Sequence, residues 1–459
     1  MKHISLYILL LVTFSLGACK KYVEIPPPQN QLVADLVFTD SKTATAAVAG
    51  LYSRMNGFNN SFANFYGTLL PSSSADDFRY GFANANFDEF RKNDLLASNS
   101  AINSLWEPVY SFIYHANSII EGLADNNAVP DALKSQLVGE AKFLRAFYYF
   151  YLVNYFGDVP LVLDTDYKKN TSLPRTASAE VYASIIKDLV EAQASLSDSY
   201  PTAERTRVNK AAATALLART YLYTEQWAQA EAEASKVIGD AKYDLLQDLN
   251  AVFLKNSREA IWQLQTVNTS TTGVNTWEGF SMVPFAVTST PLYRLYPSLV
   301  TAFETEDKRK ESWIKEFTNA SGTVHYPYKY KVRTSTPVVE YSMVLRYAEL
   351  YLIRAEARAR QNNLEGALDD LDMLRERAGL APLPDNISQV DLLLAVENER
   401  RLELFAEWGH RWLDLKRTGR AIEVLSPLKP DITANDLLYP LPLSAILTNP
   451  ALEQNPGYN

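Results

Sequence analysis

Two pairs of neighbouring acidic residues have the side chains that general acid–base catalysis requires. Asp76-Asp77 and Asp88-Glu89 could contribute the two carboxyl groups of a glycoside hydrolase, which lie roughly 5–10 Å apart on either side of the scissile bond. The sequence does not supply that separation, and adjacent side chains point to different sides of the backbone. Such pairs more often cap helices or face solvent, and we predict that neither pair is catalytic.

A second charged segment, Glu399–Arg417, contains acids, a histidine and arginines at helical spacing. On one continuous helix Glu403 and Glu407 would share a face, and His410 and Arg411 would lie one turn after Glu407. No nucleophile accompanies these residues, and a buried arginine binds two carboxylates readily. We therefore predict a structural network of ion pairs that holds helices in register, without a catalytic residue.

Loops that combine aromatic side chains with amides, acids and arginine give a stronger indication of function. Sugar rings stack their C–H faces on aromatic rings, while amide, acid and arginine side chains bind the hydroxyl groups. Residues 76–90 have this mixture, and so does the loop rich in Thr, Ser and Asn around Trp277. The predicted ligand-binding residues are Asp77, Arg79, Tyr80, Phe82, Asn84, Asn86 and Trp277.

Most of the seven Trp, 27 Tyr and 20 Phe residues must nevertheless pack in a core, because a helical protein buries most of its aromatic side chains. Trp313 ends the charged segment Lys308–Trp313 and could instead face a partner protein. The tryptophans that we predict to be packing residues are Trp106, Trp227, Trp262, Trp408 and Trp412.

Composition excludes several other classes of protein. The 459 residues are 47% hydrophobic, which is enough for a large core and excludes a disordered chain. The net charge of −9 and the lack of a basic block argue against nucleic acid as a partner. One cysteine and four scattered histidines form no zinc-binding pattern. We predict no metal site and no cofactor.

The first twenty residues have the pattern of a secretion signal. A basic start at Lys2 precedes the apolar run Ile4–Leu16, which is shorter than a membrane span. The run ends in Leu16-Gly17-Ala18-Cys19, which resembles the lipobox of bacterial lipoproteins; the alternative is an ordinary signal peptide with a chance cysteine. We predict a signal peptide over 1–18, a lipidated Cys19 that anchors the protein to a membrane, and a proline-containing tether over 19–35.

Helical periodicity dominates the rest of the chain. Two pairs of small residues, Ala218 with Ala230 and Ala355 with Ala367, each lie 12 positions apart in successive predicted helices. This spacing is typical of tetratricopeptide repeats, in which small residues lie where two antiparallel helices touch. The predicted helices span Leu137–Tyr155, Ala179–Leu196, Asn209–Thr224, Gln226–Ile238, Leu345–Gln361 and Leu364–Ala378.

Two segments interrupt the helical pattern. Residues 56–100 are rich in Asn, Ser, Phe and Gly, and residues 257–343 alternate loops with the β-like runs Ala260–Leu264 and Tyr326–Val332. We predict a mainly α protein: a tetratricopeptide-like helix-pair scaffold over 36–256 and 344–459. A loop insertion at 56–100 and an irregular, loop-rich, partly β insertion subdomain at 257–343 interrupt this scaffold.

In order along the chain, six blocks of sequence resemble the SusD/RagB family of outer-membrane nutrient-binding lipoproteins of Bacteroidetes. After the lipobox, the blocks are Val37–Asp40 with Ala47–Tyr52, Trp106–Tyr110 with Ala116–Ile120, Glu140–Tyr149 with Phe156–Leu161, Arg346–Leu352 with Ala355–Ala357, Glu399–Leu404 with Arg411–Arg417, and Asn449–Tyr458. The departures are Lys20 and Lys21 after the cysteine, where surface-exported relatives often carry acids, and a length that is short for the family.

The resemblance implies a lipoprotein anchored in the cell outer membrane and facing outside. It also implies a partner, a SusC-like TonB-dependent transporter, and an oligosaccharide ligand that is captured without bond chemistry. Residues 76–90 fall where SusD-like proteins contact glycans. Two alternatives stay open: the same role with an oligopeptide cargo, and a helical lipoprotein enzyme that degrades glycans.

Overall fold

The computed structural model describes residues 37–57, 60–267 and 269–458, so the predicted signal peptide, Cys19 and the tether lie outside the described residues. About 52% of the described residues are helical and 8% are in strands or bridges, which confirms the mainly α prediction. The α-helices are α1 Ser41–Met55, α2 Phe65–Ser74, α3 Ala85–Lys92, α4 Ser100–Asn103, α5 Glu107–Ala124, α6 Asp131–Phe156, α7 Tyr167–Asn170, α8 Ser178–Ser195, α9 Lys210–Tyr223, α10 Trp227–Ile238, α11 Thr269–Thr272, α12 Trp277–Met282, α13 Pro297–Ala302, α14 Lys308–Trp313, α15 Tyr347–Arg360, α16 Leu364–Ala378, α17 Gln389–Leu404, α18 His410–Arg417, α19 Ala421–Leu425 and α20 Leu443–Thr448.

The scaffold is a row of antiparallel helices in which α5, α6, α8, α9, α10, α15 and α16 pack one against the next. Ala218, Ala230, Ala355 and Ala367 are fully buried at the contacts within the pairs α9–α10 and α15–α16. These small residues therefore lie where two helices touch, as their spacing predicts, and the prediction of a tetratricopeptide-like scaffold is confirmed.

Local signals fix the ends of these helices. Helix α6 ends at Gly157, whose φ of 72° suits glycine and whose amide donates to Val153 O at 3.0 Å. The side chain of Asn209 caps α9 by accepting from the Ala212 amide at 3.1 Å. One boundary differs from the prediction, because Leu345 and Arg346 belong to a buried strand and α15 begins only at Tyr347.

The strands are β1 Phe78–Tyr80, β2 Ala260–Leu264, β3 Tyr293–Leu295, β4 Ile314–Asn319, β5 Gly322–Pro327 and β6 Ser342–Arg346, in three antiparallel pairs: β1–β3, β2–β6 and β4–β5. Strands β2 and β6 stand at the two ends of the 257–343 segment, and their pairing closes that segment at its base. Residues 56–100 are more regular than their composition predicts. They contain α2, α3, β1 and the start of α4. Helix α2 forms despite Pro71 inside it, and nearly all of its residues are buried.

One continuous hydrophobic core connects the scaffold with both irregular segments. Trp106, Trp262, Trp408 and Trp412 are buried in it, and Trp227 packs against it partly exposed, as predicted. The prediction that Trp313 could face a partner protein is wrong. Trp313 is fully buried, and its Nε1 donates to Leu249 O at 3.0 Å. None of the described helices has the length and apolar character needed to cross a membrane.

Candidate ligand-binding site

The predicted ligand-binding residues near position 80 lie on a short antiparallel sheet. Strand β1 pairs with β3 so that Phe78 is opposite Leu295, Arg79 opposite Arg294 and Tyr80 opposite Tyr293. The pairing extends by one bond beyond the strands, from the Gly81 amide to Leu292 O at 2.7 Å. Since side chains alternate along a strand, Tyr80 and Tyr293 point to one face and the two arginines to the other.

The tyrosine face of this sheet packs on an aromatic cluster. Tyr80 lies 5.4 Å from Tyr293 and 5.4 Å from Phe87 of α3, measured between ring centroids. Phe87 in turn meets Tyr66 edge-on at 6.0 Å, and Tyr293 meets Phe65 at 4.7 Å. Tyr80, Phe87 and Tyr66 are partly exposed, so the edge of the cluster is accessible to a ligand.

The arginine face carries two guanidinium groups between two aromatic rings. Arg294 lies over the ring of Phe82 at 4.9 Å and Arg79 over the ring of Tyr296 at 5.8 Å. Phe82 is 45% exposed, an unusual placement for a large apolar ring. Phe82 contacts both sets of residues, because its ring centroid also lies 5.8 Å from that of Tyr80. We call Arg79, Tyr80, Phe82, Phe87, Tyr293 and Arg294, which lie on the two faces of this strand pair and meet at Phe82, the β1–β3 platform.

The two predicted asparagines border the platform but also have structural contacts. The Oδ1 atom of Asn84 accepts from the Phe87 amide at 3.2 Å and thereby caps α3. The amide of Asn86 donates to Ser100 Oγ at 2.9 Å and ties α3 to α4. Asn84 is exposed and Asn86 partly exposed.

Asp77 does not share the exposed surface of the other predicted residues. It is 1% exposed, and burial raises the pKa of its carboxyl to about 7. The neighbouring Asp76 is also buried and accepts from Arg401 at 2.6 Å and from Arg411 at 2.9 Å. Although burial opposes it, these arginines lower the pKa of Asp76. Two buried carboxyl groups, one held by arginines, do not form the open pair that a glycoside hydrolase presents to its substrate.

Trp277 lies outside the β1–β3 platform. Its indole Nε1 donates to Asn56 O at 3.3 Å, and its ring meets Phe280 edge-on at 5.8 Å. The loop 283–292 runs from α12, which begins at Trp277, to β3 of the platform. Phe285 in this loop is 85% exposed and is the most exposed aromatic ring among the large hydrophobic side chains described.

The charged segment Glu399–Arg417 forms a buried ion-pair network, as predicted, but not on one helix. Glu403 accepts from Arg346 at 2.6 Å and from Arg377 at 2.5 Å, and Glu407 accepts from Lys329 at 2.5 Å. These partners come from the insertion, from β6 and from α16, so the network joins separate parts of the fold.

The prediction of a continuous helix through this segment is wrong. Helix α17 ends at Leu404 and α18 begins at His410. Ala406, Trp408 and Gly409 between them have φ values of 55°, 45° and 69°, which are left-handed and incompatible with a continuous α-helix. Helical spacing alone could not reveal this break, because buried contacts of Trp408 and the network hold it in place.

An open cleft of about 870 Å³ lies away from the platform, between the end of α6, the start of α8, α18 and residues 451–456. Several polar groups of its lining bind one another. Arg175 donates to Asp158 O at 2.7 Å, to Glu453 O at 2.9 Å and to Asn455 Oδ1 at 2.6 Å. The platform, which combines exposed aromatic and cationic groups, is therefore the better candidate for the ligand site. No cluster of three or more metal-ligating side chains occurs in the described part of the chain.

Three residues of the platform, Phe87 of α3 and Tyr293 and Arg294 of β3, were not among the predicted site residues. A single arginine between Tyr293 and Leu295 carries no recognisable motif. Its position becomes meaningful only through the pairing of β3 with β1, which are more than 200 residues apart in the chain.

Comparison with known proteins identifies the class to which this fold belongs. Residues 22–222 match the model described as starch-binding, associating with outer membrane, and residues 311–458 match the model of the SusD family. The chain belongs to the SusD/RagB family.

Full-length similarity agrees with these matches. A SusD-like protein of Formosa agariphila is 28% identical, with 100% of each chain covered. A laminarin-binding SusD-like protein of known structure superimposes with a TM-score of 0.79 at 26% identity, over 91% of this chain and 100% of that one. A SusD superfamily protein of Bacteroides vulgatus superimposes with a TM-score of 0.81 at 20% identity, over 92% and 100%, which shows the shared fold.

Proposed function

We propose that this protein captures an oligosaccharide on the β1–β3 platform and delivers it to a SusC-like TonB-dependent transporter in the outer membrane. The observation that carries the proposal is the exposed ring of Phe82 beside the partly exposed Tyr80 and Phe87, with arginines at the edge. Aromatic faces stack on sugar rings, and arginine donates to hydroxyl groups, so this combination suits a carbohydrate.

Family membership supports the cellular part of the proposal. The matching model is described as associating with the outer membrane, and the Leu16–Cys19 motif supplies an acylation site for anchoring. The protein acts by capture and release and carries out no bond chemistry. In this role Trp277 and the loop 283–292 would meet the parts of a longer ligand that extend beyond the platform.

Calorimetric titration of the detergent-solubilised lipoprotein tests ligand capture. The titrants are oligosaccharides and peptides of matched length, and chromatography follows any product. An isolated protein whose site is completed by the transporter could bind near 1 mM, about −4 kcal/mol, so the protein concentration must be high. We expect an oligosaccharide to bind without product formation.

Phe82→Ala should weaken this binding about tenfold, because it removes the exposed stacking ring. Tyr167→Ala, at a ring that is 68% exposed in α7, is the matched control and should bind normally. Binding of peptides alone would contradict the carbohydrate proposal, and accumulation of cleaved sugar would contradict the non-enzymatic one.

Anchoring and partnership need their own tests. Replacing Cys19 by Ser should abolish labelling by palmitate and release the protein from the membrane fraction. The tagged wild-type protein should co-purify with a TonB-dependent barrel from its native outer membrane. Retention of the Cys19→Ser protein in the membrane, or purification of the wild type without a barrel, would contradict the corresponding part of the proposal.

A further inference from the structure

The two arginines of the platform occupy directly opposed positions of an antiparallel strand pair. Opposed residues project from the same face, with Cβ atoms roughly 5 Å apart, and like charges in such positions destabilise the pair. Arg79 and Arg294 are both partly exposed, so solvent reduces this repulsion without removing it. The opposed arginines therefore reduce the stability of the fold, and their presence calls for a role other than stabilising it.

Neither guanidinium group is neutralised within the part of the chain that the structure describes. Arg79 Nη1 donates to Tyr80 O at 3.3 Å and Arg294 Nε to Pro291 O at 3.4 Å, both backbone carbonyls, and no described carboxylate forms an ion pair with either. The nearby Asp88 is engaged by Arg91 at 2.8 Å. Two unpaired arginines side by side are unusual in a chain with 53 acidic and 44 basic residues.

Aromatic rings hold both groups in position. The guanidinium carbon of Arg294 lies 4.9 Å from the ring centroid of Phe82 and that of Arg79 lies 5.8 Å from the ring centroid of Tyr296. Each group has N–H donors beyond the one bonded to a backbone carbonyl. Gly81 makes the first contact possible, because a Cβ at this position would lie 2.4 Å from Arg294 Nε. The two forks are therefore oriented before a ligand arrives, which lowers the entropy cost of binding.

We propose that the ligand of the platform is an acidic oligosaccharide, whose carboxylate or sulfate ester groups bind between Arg79 and Arg294. The planar guanidinium fork matches the oxygens of both anions and can donate two parallel hydrogen bonds. The ring of Phe82, beside the arginine, offers the stacking surface for the sugar that carries the charge. This inference rests on the proposed carbohydrate-binding function and names the class of carbohydrate.

The test uses the full-length lipoprotein in detergent and three tetrasaccharides as probes: a galacturonate for the carboxylate, a chondroitin sulfate for the sulfate ester, and a laminari-oligosaccharide as the neutral reference. At least one acidic probe should bind about tenfold or more tightly than the neutral one at low salt. Raising NaCl from about 0.1 M to about 1 M should remove most of that preference, because the Debye length falls from about 10 Å to about 3 Å.

Arg79→Gln and Arg294→Gln should each weaken binding of the acidic probe about tenfold and weaken binding of the neutral probe by a clearly smaller factor, because the neutral probe loses only a hydrogen bond to a hydroxyl group and no ion pair. Lys187→Gln, at an exposed lysine of α8, is the matched control for loss of one positive charge and should change neither. The melting temperature reports folding. It should stay equal or rise in the single arginine variants, since each removes the repulsion within the pair.

The outcomes separate this inference from the function on which it rests. Equal binding of neutral and acidic probes, or an acidic preference that survives both arginine substitutions, would overturn the inference and leave oligosaccharide capture standing. Absence of binding by all three probes would overturn both. Tight binding of only one acidic probe supports the inference and identifies its anion.

Discussion

Arg219 of α9 and Glu349 of α15 form a buried, bidentate ion pair. Arg219 Nε donates to Glu349 Oε1 at 2.7 Å and Nη2 to Oε2 at 2.5 Å, and the two side chains are only 1% and 3% exposed. The residues are 130 positions apart, and the irregular segment 257–343 lies between them in the chain. The pair thus joins the helices that precede that segment to those that follow it.

Breaking this pair should destabilise the whole scaffold. Glu349→Ala leaves the Arg219 charge buried without its carboxylate, and we expect a loss of about 3–5 kcal/mol in the free energy of unfolding, measured with urea. The control is Glu423→Ala, which breaks the surface pair of Glu423 with Arg420. That loss should be below about 1 kcal/mol. Equal losses for the two variants would contradict a structural role for the buried pair.

The same ion pair should make the free energy of unfolding depend on pH. Burial raises the pKa of Glu349, but the charge and hydrogen bond of Arg219, together with the charges of His410 and Arg400, outweigh burial, and the net pKa falls to about 2. The unfolded chain binds this proton at a higher pH, near 4.5, than the folded chain does. The stabilisation is therefore complete above about pH 5 and is lost as the pH falls toward 2. The stability difference between wild type and Glu349→Ala should shrink over this range, by roughly 3 kcal/mol.

The adjacent residues Asp76 and Asp77 should respond oppositely to the same substitution. Burial raises the pKa of Asp77 to about 7, so the folded protein keeps a proton that the unfolded chain releases near pH 4. Asp77 therefore costs stability as the pH rises from 4 to 7. Asp77→Asn should stabilise the protein at pH 8, by at most about 4 kcal/mol, and have little effect at pH 4.5.

Asp76→Asn is the matched comparison for that experiment. It deprives Arg401 and Arg411 of their shared carboxylate, and we expect a loss of about 3 kcal/mol at pH 8. Urea unfolding at the two pH values measures both variants. Destabilisation by Asp77→Asn at pH 8 would show that the ionised carboxylate has a partner that compensates for its burial.

Elements with strong local signals could be predicted from the sequence. Helices α6, α8, α9, α10 and α16 were predicted within a few residues, except for the first six residues of α6, because Gly157, Asn209 and the breaks between pairs mark their ends. The buried alanines at 12-residue spacing also gave the repeat architecture. In these segments local propensity and tertiary packing agree.

Long-range packing decided the features that could not be predicted. The break between α17 and α18 depends on buried contacts of Trp408 with Phe147 and with Met343 O, which are distant in the chain. Asp77 is buried next to exposed candidates, where Arg401 and Arg411, more than 300 positions away in the chain, are close enough to act on its carboxyl group. The opposition of Arg79 and Arg294 exists only through the register of β1 and β3. The ligand-binding role of the predicted residues stays a prediction.

Trp313 and Phe285 offer a test of which aromatic residues of the 257–343 segment are structural. Trp313 is fully buried, and the cations of Lys329, Arg346 and Arg377 surround its ring at 4.7–5.8 Å. Trp313→Ala should cost about 3–5 kcal/mol in unfolding free energy. Phe285→Ala, at an 85% exposed ring, should change it by less than about 0.5 kcal/mol. Similar losses in the two variants would contradict this division.

Gly81→Ala should displace the guanidinium group of Arg294 and leave the rest of the platform in place. The added Cβ would lie 2.4 Å from Nε and 2.8 Å from Cδ of Arg294, so the flexible side chain must leave the ring of Phe82 while the backbone can stay in place. We expect about tenfold weaker binding of acidic oligosaccharides, a clearly smaller loss for neutral ones and a stability within about 1 kcal/mol of wild type. Gly50→Ala is the control. No atom lies within 4 Å of the added Cβ, and replacing a glycine inside α1 should stabilise the protein by about 1 kcal/mol without affecting any ligand. A Gly81→Ala protein that binds acidic and neutral ligands as the wild type does would show that the contact between Arg294 and Phe82 has no part in recognition.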